Sequence, residues 1–112
     1  MSEQNTYQIE NYEGAALIRL NENVTGGSDA LEFQNTVNEA ANGDFSKVIV
    51  DLGKVEIINS SGLGMLVAAF TSLKKFNKDF IICNLPEKVR SLVEMTHLDK
   101  VLNIKSNINS SL

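Results

Sequence analysis

Two adjacent serines, Ser60 and Ser61, followed by Gly62-Leu63-Gly64, form the segment best suited to chemistry. They precede a stretch in which Leu63, Leu66, Val67, Phe70, Leu73 and Phe76 recur at helical spacing, which predicts an amphipathic helix opening at Ser60. A helix N-terminus presents free backbone N–H groups and a partial positive charge. A phosphoryl group, with about −1.5 to −2 charges near neutral pH, is well placed there. The plainer reading is that Ser60 or Ser61 caps the helix while Gly62 and Gly64 permit close packing. The segment alone leaves both readings open.

Other chemistries fit poorly. A dinucleotide loop needs a third glycine where Val67 stands, and no Gly-Lys-Ser/Thr phosphate loop occurs. His97 is the sole histidine and Gly-x-Ser-x-Gly is absent, which disfavours nucleophilic hydrolysis; His97 is expected to make a local contact near the end of a helix. One His and one Cys make no metal cluster. Cys83 lies in the apolar run Phe80-Ile81-Ile82-Cys83 and reads as a reduced core residue. The chain is therefore read as non-enzymatic, with no cofactor and no metal. Asp51 has two readings, a functional acid at a strand end or an acceptor of loop N–H bonds, and the structural one is favoured.

The elements that position the serines follow from hydrophobic periodicity. Thr6 to Asn11 and Ala15 to Leu20 alternate around turn chemistry at Asn11 to Gly14, which predicts a hairpin. Asn21 to Asp29 is a glycine-bearing loop ending in the candidate N-cap Ser28-Asp29. Leu31, Phe33, Val37, Ala40 and Ala41 give a helical stripe that Gly43 ends. Val48-Ile49-Val50 predicts a strand buried on both faces, and Val55, Ile57 and Ile58 must dock the next loop on the core. After the Ser60 helix come a strand from Phe80, a helix opened by Pro86 with Val89, Leu92 and Val93 inward, and a short strand from Val101 to Ile104. This order predicts an α/β fold, a single mixed, largely parallel sheet with helices packed on it and an N-terminal β-hairpin.

The 112 residues make one domain, 1–112, with a core over about 5–105 and a Ser/Asn-rich tail, 106–112, expected to fray. A net charge of −4 argues against nucleic-acid binding. No apolar run approaches the roughly 20 residues of a membrane span and the N-terminus is polar, so the expectation is a cytoplasmic protein with no membrane insertion. It is expected to be a monomer or weak dimer.

Val48-Ile49-Val50-Asp51-Leu52, then Val55, Ile58 and Asn59-Ser60-Ser61-Gly62-Leu63-Gly64-Met65-Leu66-Val67, resemble the signature of STAS domains, the sulfate-transporter and anti-sigma-factor-antagonist family. Phe80 to Leu85 is similar to the family's next strand, and Val89 to Leu102 to its closing helix and last strand. The resemblance implies phosphorylation of Ser60, with Ser61 as second choice. It further implies an anti-sigma factor antagonist that works by partner switching. The unphosphorylated form binds a histidine-kinase-like anti-sigma factor, a serine kinase, and frees the sigma factor. Phosphorylation reverses this, and a PPM-type serine phosphatase resets it. The expected contact surface is Val24, Thr25, Gly26, Asn59, Ser60, Ser61, Gly62 and Met65, within a loop running from Val24 to Ser28 and the helix start, while Asp51, Gly62 and Gly64 are structural.

Two positions depart from the family pattern. Asn59 stands where Asp usually precedes the serine, and Thr25 stands where the early loop usually carries Asp. The alternative is therefore a constitutive STAS adaptor or scaffold subunit of a signalling or membrane-transport complex. A nucleotide-dependent enzyme is the third class, weakened by the missing phosphate loops.

Overall fold

The computed structural model describes residues 7–112, apart from the side chains of Ser28 and Asp29. Its elements in chain order are β1 (Ile9–Tyr12), β2 (Ala15–Arg19), β3 (Asn23–Val24), α1 (Ser28–Ala41), β4 (Lys47–Asp51), β5 (Ile57–Ile58), α2 (Ser60–Lys75), β6 (Asp79–Cys83), α3 (Glu87–Met95) and β7 (Asn103–Lys105), with short 3-10 turns at Leu98–Lys100 and Asn109–Ser111. The predicted alternation of strands and helices is present. The start of the first predicted strand, Thr6, lies outside the described residues.

The hairpin forms because Glu13 and Gly14 both take positive φ, 53° and 87°, the backbone that matches the twist of an antiparallel pair. Asn11 Oδ1 accepts the Gly14 N–H at 3.2 Å and steadies that turn. The five-stranded sheet runs β1-β2-β4-β6-β7, with β1 antiparallel and the rest parallel. Each crossover from β2 to β4 to β6 to β7 steps the same way. Right-handed crossovers then send all three helices to one face. There Ile18, Val50 and Ile82 from the sheet cluster with Phe33 and Val37 of α1, Leu66 and Leu73 of α2, and Val89 and Val93 of α3. Val48, Ile49 and Val50 are fully buried, as a central strand requires.

The opposite face carries Ala15, Leu17, Ile49 and Cys83, packed with Tyr12 and Ile108. The tail expected to fray lies here instead. Lys47 Nζ donates to the carbonyls of Ser111 (3.2 Å) and Leu112 (2.7 Å), and Tyr12 Oη donates to Asn109 Oδ1 at 2.6 Å. Ser111 is 2% exposed. The reason is that a one-sided helix layer leaves apolar sheet uncovered, and Ile108 gives the polar tail an apolar residue to lay on it. Burial, with the Asp51 charge adding, pushes the Cys83 thiol from its ordinary 9.0 up to about 11.

Smaller expectations need correction. Helix α1 begins at Ser28 with Gly27 as its N-cap, one residue earlier than Ser28-Asp29. Leu31 is 67% exposed, because the inward face of α1 is built from Ala30, Phe33, Val37, Ala40 and Ala41. Phe76 is the exposed C-cap of α2 rather than part of its buried stripe. Pro86 is the N-cap of α3, one residue outside its first turn.

Candidate functional site

The loops after β2 and β4 leave the same end of the sheet and pair with each other. Asn23 lies opposite Ile57, and Val24 opposite Ile58, in a two-stranded parallel ladder. Glu22 O accepts the N–H of both Glu56 (2.7 Å) and Ile57 (2.9 Å), and the Asn59 N–H reaches Val24 O at 3.4 Å. Below this ladder, Asp51 Oδ1 accepts from the Gly53 N–H at 2.8 Å and from Asn84 Nδ2 at 3.1 Å. Its Oδ2 lies 3.5 Å from Arg19 Nε. Asp51 thus ties the start of the 53–59 loop to β2 and to the end of β6.

Helix α2 is capped by Asn59. Its backbone is extended, φ −129° and ψ −175°, and its Oδ1 accepts the Gly62 N–H at 2.8 Å. This satisfies a donor that has no helical acceptor. The capping role that sequence reading shared between Ser60 and Ser61 therefore falls to neither. Both serines are exposed, and among the described residues neither hydroxyl has a hydrogen-bond partner. The first turn holds no acidic residue. The partial positive charge at this end is thus not offset from within the helix.

The glycines differ in role. A Cβ on Gly62 would lie 1.9 Å from Val24 O, so only glycine lets β3 cross the helix start. A Cβ on Gly26 would meet Ser61 Cβ at 2.9 Å, and Gly26 also has φ 91°. Around Gly64 an added Cβ meets nothing within 4 Å, so close packing does not account for glycine there.

The expected contact surface divides accordingly. Thr25, Asn59, Ser60 and Ser61 are exposed together with Gly64. Val24, Gly26 and Gly62 are buried, and Met65, at 5% exposure, belongs to the core. Those four build the site from beneath and do not form its surface. The capping role of Asn59 escaped sequence reading, although Asn is among the strongest N-cap types and stands directly before the helix. His97 is exposed with φ 62° after α3, and its backbone N–H donates to Glu94 O at 3.1 Å. Among the described residues no three His, Cys, Asp or Glu side chains group as metal ligands, and no helix is long and apolar enough to cross a membrane.

Known proteins share this fold. An anti-sigma-B factor antagonist of Listeria monocytogenes is 33% identical over 57 residues, 51% of this chain, and the chain spans about half the length of that relative (50%). An anti-sigma-factor antagonist (STAS) domain protein from Planctomyces limnophilus superimposes with a TM-score of 0.81 at 20% identity, covering 96% of this chain and 95% of the other. The phosphorylated form of SpoIIAA from Bacillus gives a TM-score of 0.68 at 16% identity, covering 91% and 93%. These likenesses show the fold, and residues 6–111 match the model of one family over nearly the whole chain. The chain belongs to the STAS domain family.

Proposed function

We propose that the protein is an anti-sigma factor antagonist and that Ser60 is its phosphoacceptor. One observation carries the reading: Asn59 closes α2 through its own side chain, which leaves the Ser60 hydroxyl exposed and unengaged. The unphosphorylated form binds a histidine-kinase-like anti-sigma factor and so frees a sigma factor. That partner transfers the γ-phosphoryl of ATP. A bond forms between Ser60 Oγ and phosphorus, the bond to the ADP oxygen breaks, and the serine proton leaves to a base of the kinase. The phosphate then places about two negative charges in the contact surface, and the complex separates. A PPM-type phosphatase restores the serine. The domain itself turns over no substrate; it is substrate and ligand.

A second reading rests on charge. Asn and Asp cap helices about equally well, so Asn59 keeps the geometry of the family pattern and removes its negative charge. Thr25 likewise removes a negative charge of the family pattern from the neighbouring loop. A kinase that needs either acid would leave the protein a constitutive adaptor. Intact-mass spectrometry after incubation with ATP and the kinase decides, with Ser60→Ala as control. One added phosphate in the wild type alone supports the switch. Stable kinase binding with no added phosphate supports a constitutive antagonist or adaptor instead.

A further inference from the structure

Deamidation of asparagine uses a nucleophile that the chain itself supplies. The backbone nitrogen of the following residue attacks the side-chain carbonyl carbon, so a small following residue and a free N–H both favour it. Small residues follow asparagine at Asn42-Gly43, Asn59-Ser60 and Asn109-Ser110. At two of these pairs the attacking N–H is engaged. The Gly43 N–H donates to Ala40 O at 3.1 Å, and the Ser110 N–H donates to Asn107 Oδ1 at 2.9 Å. The side-chain amide of Asn42 is held as well, its Nδ2 donating to Asn38 O at 2.9 Å. Ser60 differs. As the first residue of α2 it has no helical acceptor for its N–H, and among the described residues it has no other.

We propose that Asn59 is a site of spontaneous deamidation. The Ser60 nitrogen loses its proton to hydroxide or a buffer base and bonds to Asn59 Cγ. The bond from Cγ to Nδ2 breaks, Nδ2 takes up a proton, and ammonia leaves. Water then opens the succinimide ring at either carbonyl, giving aspartate or isoaspartate at position 59. Negative charge develops on the Ser60 nitrogen and then on Asn59 Oδ1. The Gly62 N–H already donates to that oxygen at 2.8 Å, an arrangement that stabilises an oxyanion. The positive end of α2, with no acidic residue in its first turn, favours the same charge. Asn59 is exposed, so water and base reach it.

The aspartate product caps α2 about as well as asparagine and adds a negative charge beside Ser60. It also restores the acid that the family pattern carries at this position. Only this consequence rests on the proposed function: where the partner kinase requires that acid, deamidation turns a constitutive binder into its substrate. The isoaspartate product adds a methylene to the backbone and breaks the cap.

The test is peptide mapping by mass spectrometry of the purified protein, held at about pH 8 in native buffer and in urea, with oxygen-18 water to label the new acid. Native wild type is expected to convert Asn59 about tenfold faster than Asn42 or Asn109, the effect of a free nucleophile and an oxyanion donor. In urea Asn42 is expected to lead, because glycine hinders the attacking nitrogen least once its hydrogen bond is lost. Ser60→Pro removes the nucleophile at the helix position where proline is best tolerated, after a residue whose backbone is already extended. It is expected to abolish conversion at position 59 with the helical circular dichroism retained. Native conversion of Asn42 or Asn109 ahead of Asn59 overturns the inference, as does equal conversion at position 59 in Ser60→Pro. The comparison of the three sites in wild type stands even where the proline variant fails to fold. No kinase enters these measurements, so the modification and the phosphoswitch fail separately.

Discussion

Asn59 Oδ1 holds the Gly62 N–H at 2.8 Å, and this single hydrogen bond closes α2 without using either serine. A helix start capped by the preceding residue leaves the Ser60 hydroxyl without an intramolecular partner. Asn59→Ala is expected to destabilise the fold by about 1 kcal/mol, the usual value of an N-cap. Asn59→Asp should match or exceed wild-type stability, because a negative charge at this end adds about 0.3–1 kcal/mol at low ionic strength. Urea denaturation of the three proteins checks both. An alanine variant as stable as wild type would remove the cap from this account.

Gly62 and Gly64 are two residues apart and should respond oppositely. Gly62→Ala drives a methyl into Val24 O and is expected to unfold the site or displace β3. Gly64→Ala meets open space and should stabilise by up to about 1 kcal/mol, the helix preference of Ala over Gly. Thermal melting separates them. If Gly64→Ala is stable yet weakens partner binding, the glycine serves the approach of another molecule.

Ser60→Asp should leave the melting curve near wild type, since the side chain is exposed at a helix start that favours negative charge. Its affinity for the kinase-type partner is expected to fall at least tenfold, about 1.4 kcal/mol. Tight binding by this variant would count against phosphorylation as the releasing event.

Cys83 predicts an alkaline limit. Its thiol is pushed up to about 11 in the fold, from 9.0 ordinarily. Between those values the unfolded chain has lost a proton that the folded chain retains, so stability falls as pH rises from about 9 to about 11. Below pH 9 the thiol contributes no slope. Stability curves of wild type and Cys83→Ala over pH 8–11 should diverge only above about pH 9. Ile108→Ser, which loosens the tail over the same face, should speed thiol labelling of Cys83 by a disulfide reagent at pH 8. Unchanged labelling would show that the tail does not shield the thiol.

Much of the fold was legible in the sequence, because long elements carry their own period. Three consecutive β-branched residues marked β4 as central, and the leucines of α2 marked its inward side. What escaped had no period to show. β3 and β5 are two residues each, and their pairing exists only once the two loops meet. Met65 fell outside the visible stripe because its buried neighbours Gly62 and Ala69, at helical spacing from it, are too small to register as a hydrophobic face. The tail hid its docking residue, Ile108, among Ser and Asn. At the site, the residue types suggested an anion at a helix start, and only the family resemblance singled out Ser60. The division of Val24, Gly26, Gly62 and Met65 beneath from Thr25, Asn59, Ser60 and Ser61 above required the packing of both loops.

The β3–β5 ladder makes the surface around Ser60 discontinuous in the chain. Thr25 comes from one loop and Ser60 from another, and Val24 O fills the space where any side chain at position 62 would stand. A synthetic peptide covering Val55 to Leu66 would carry the serine without that support, and a helix so short is marginal alone in water. A kinase that reads both loops therefore recognises the folded domain rather than a linear motif, so unfolded or nascent chains would pass it unmodified.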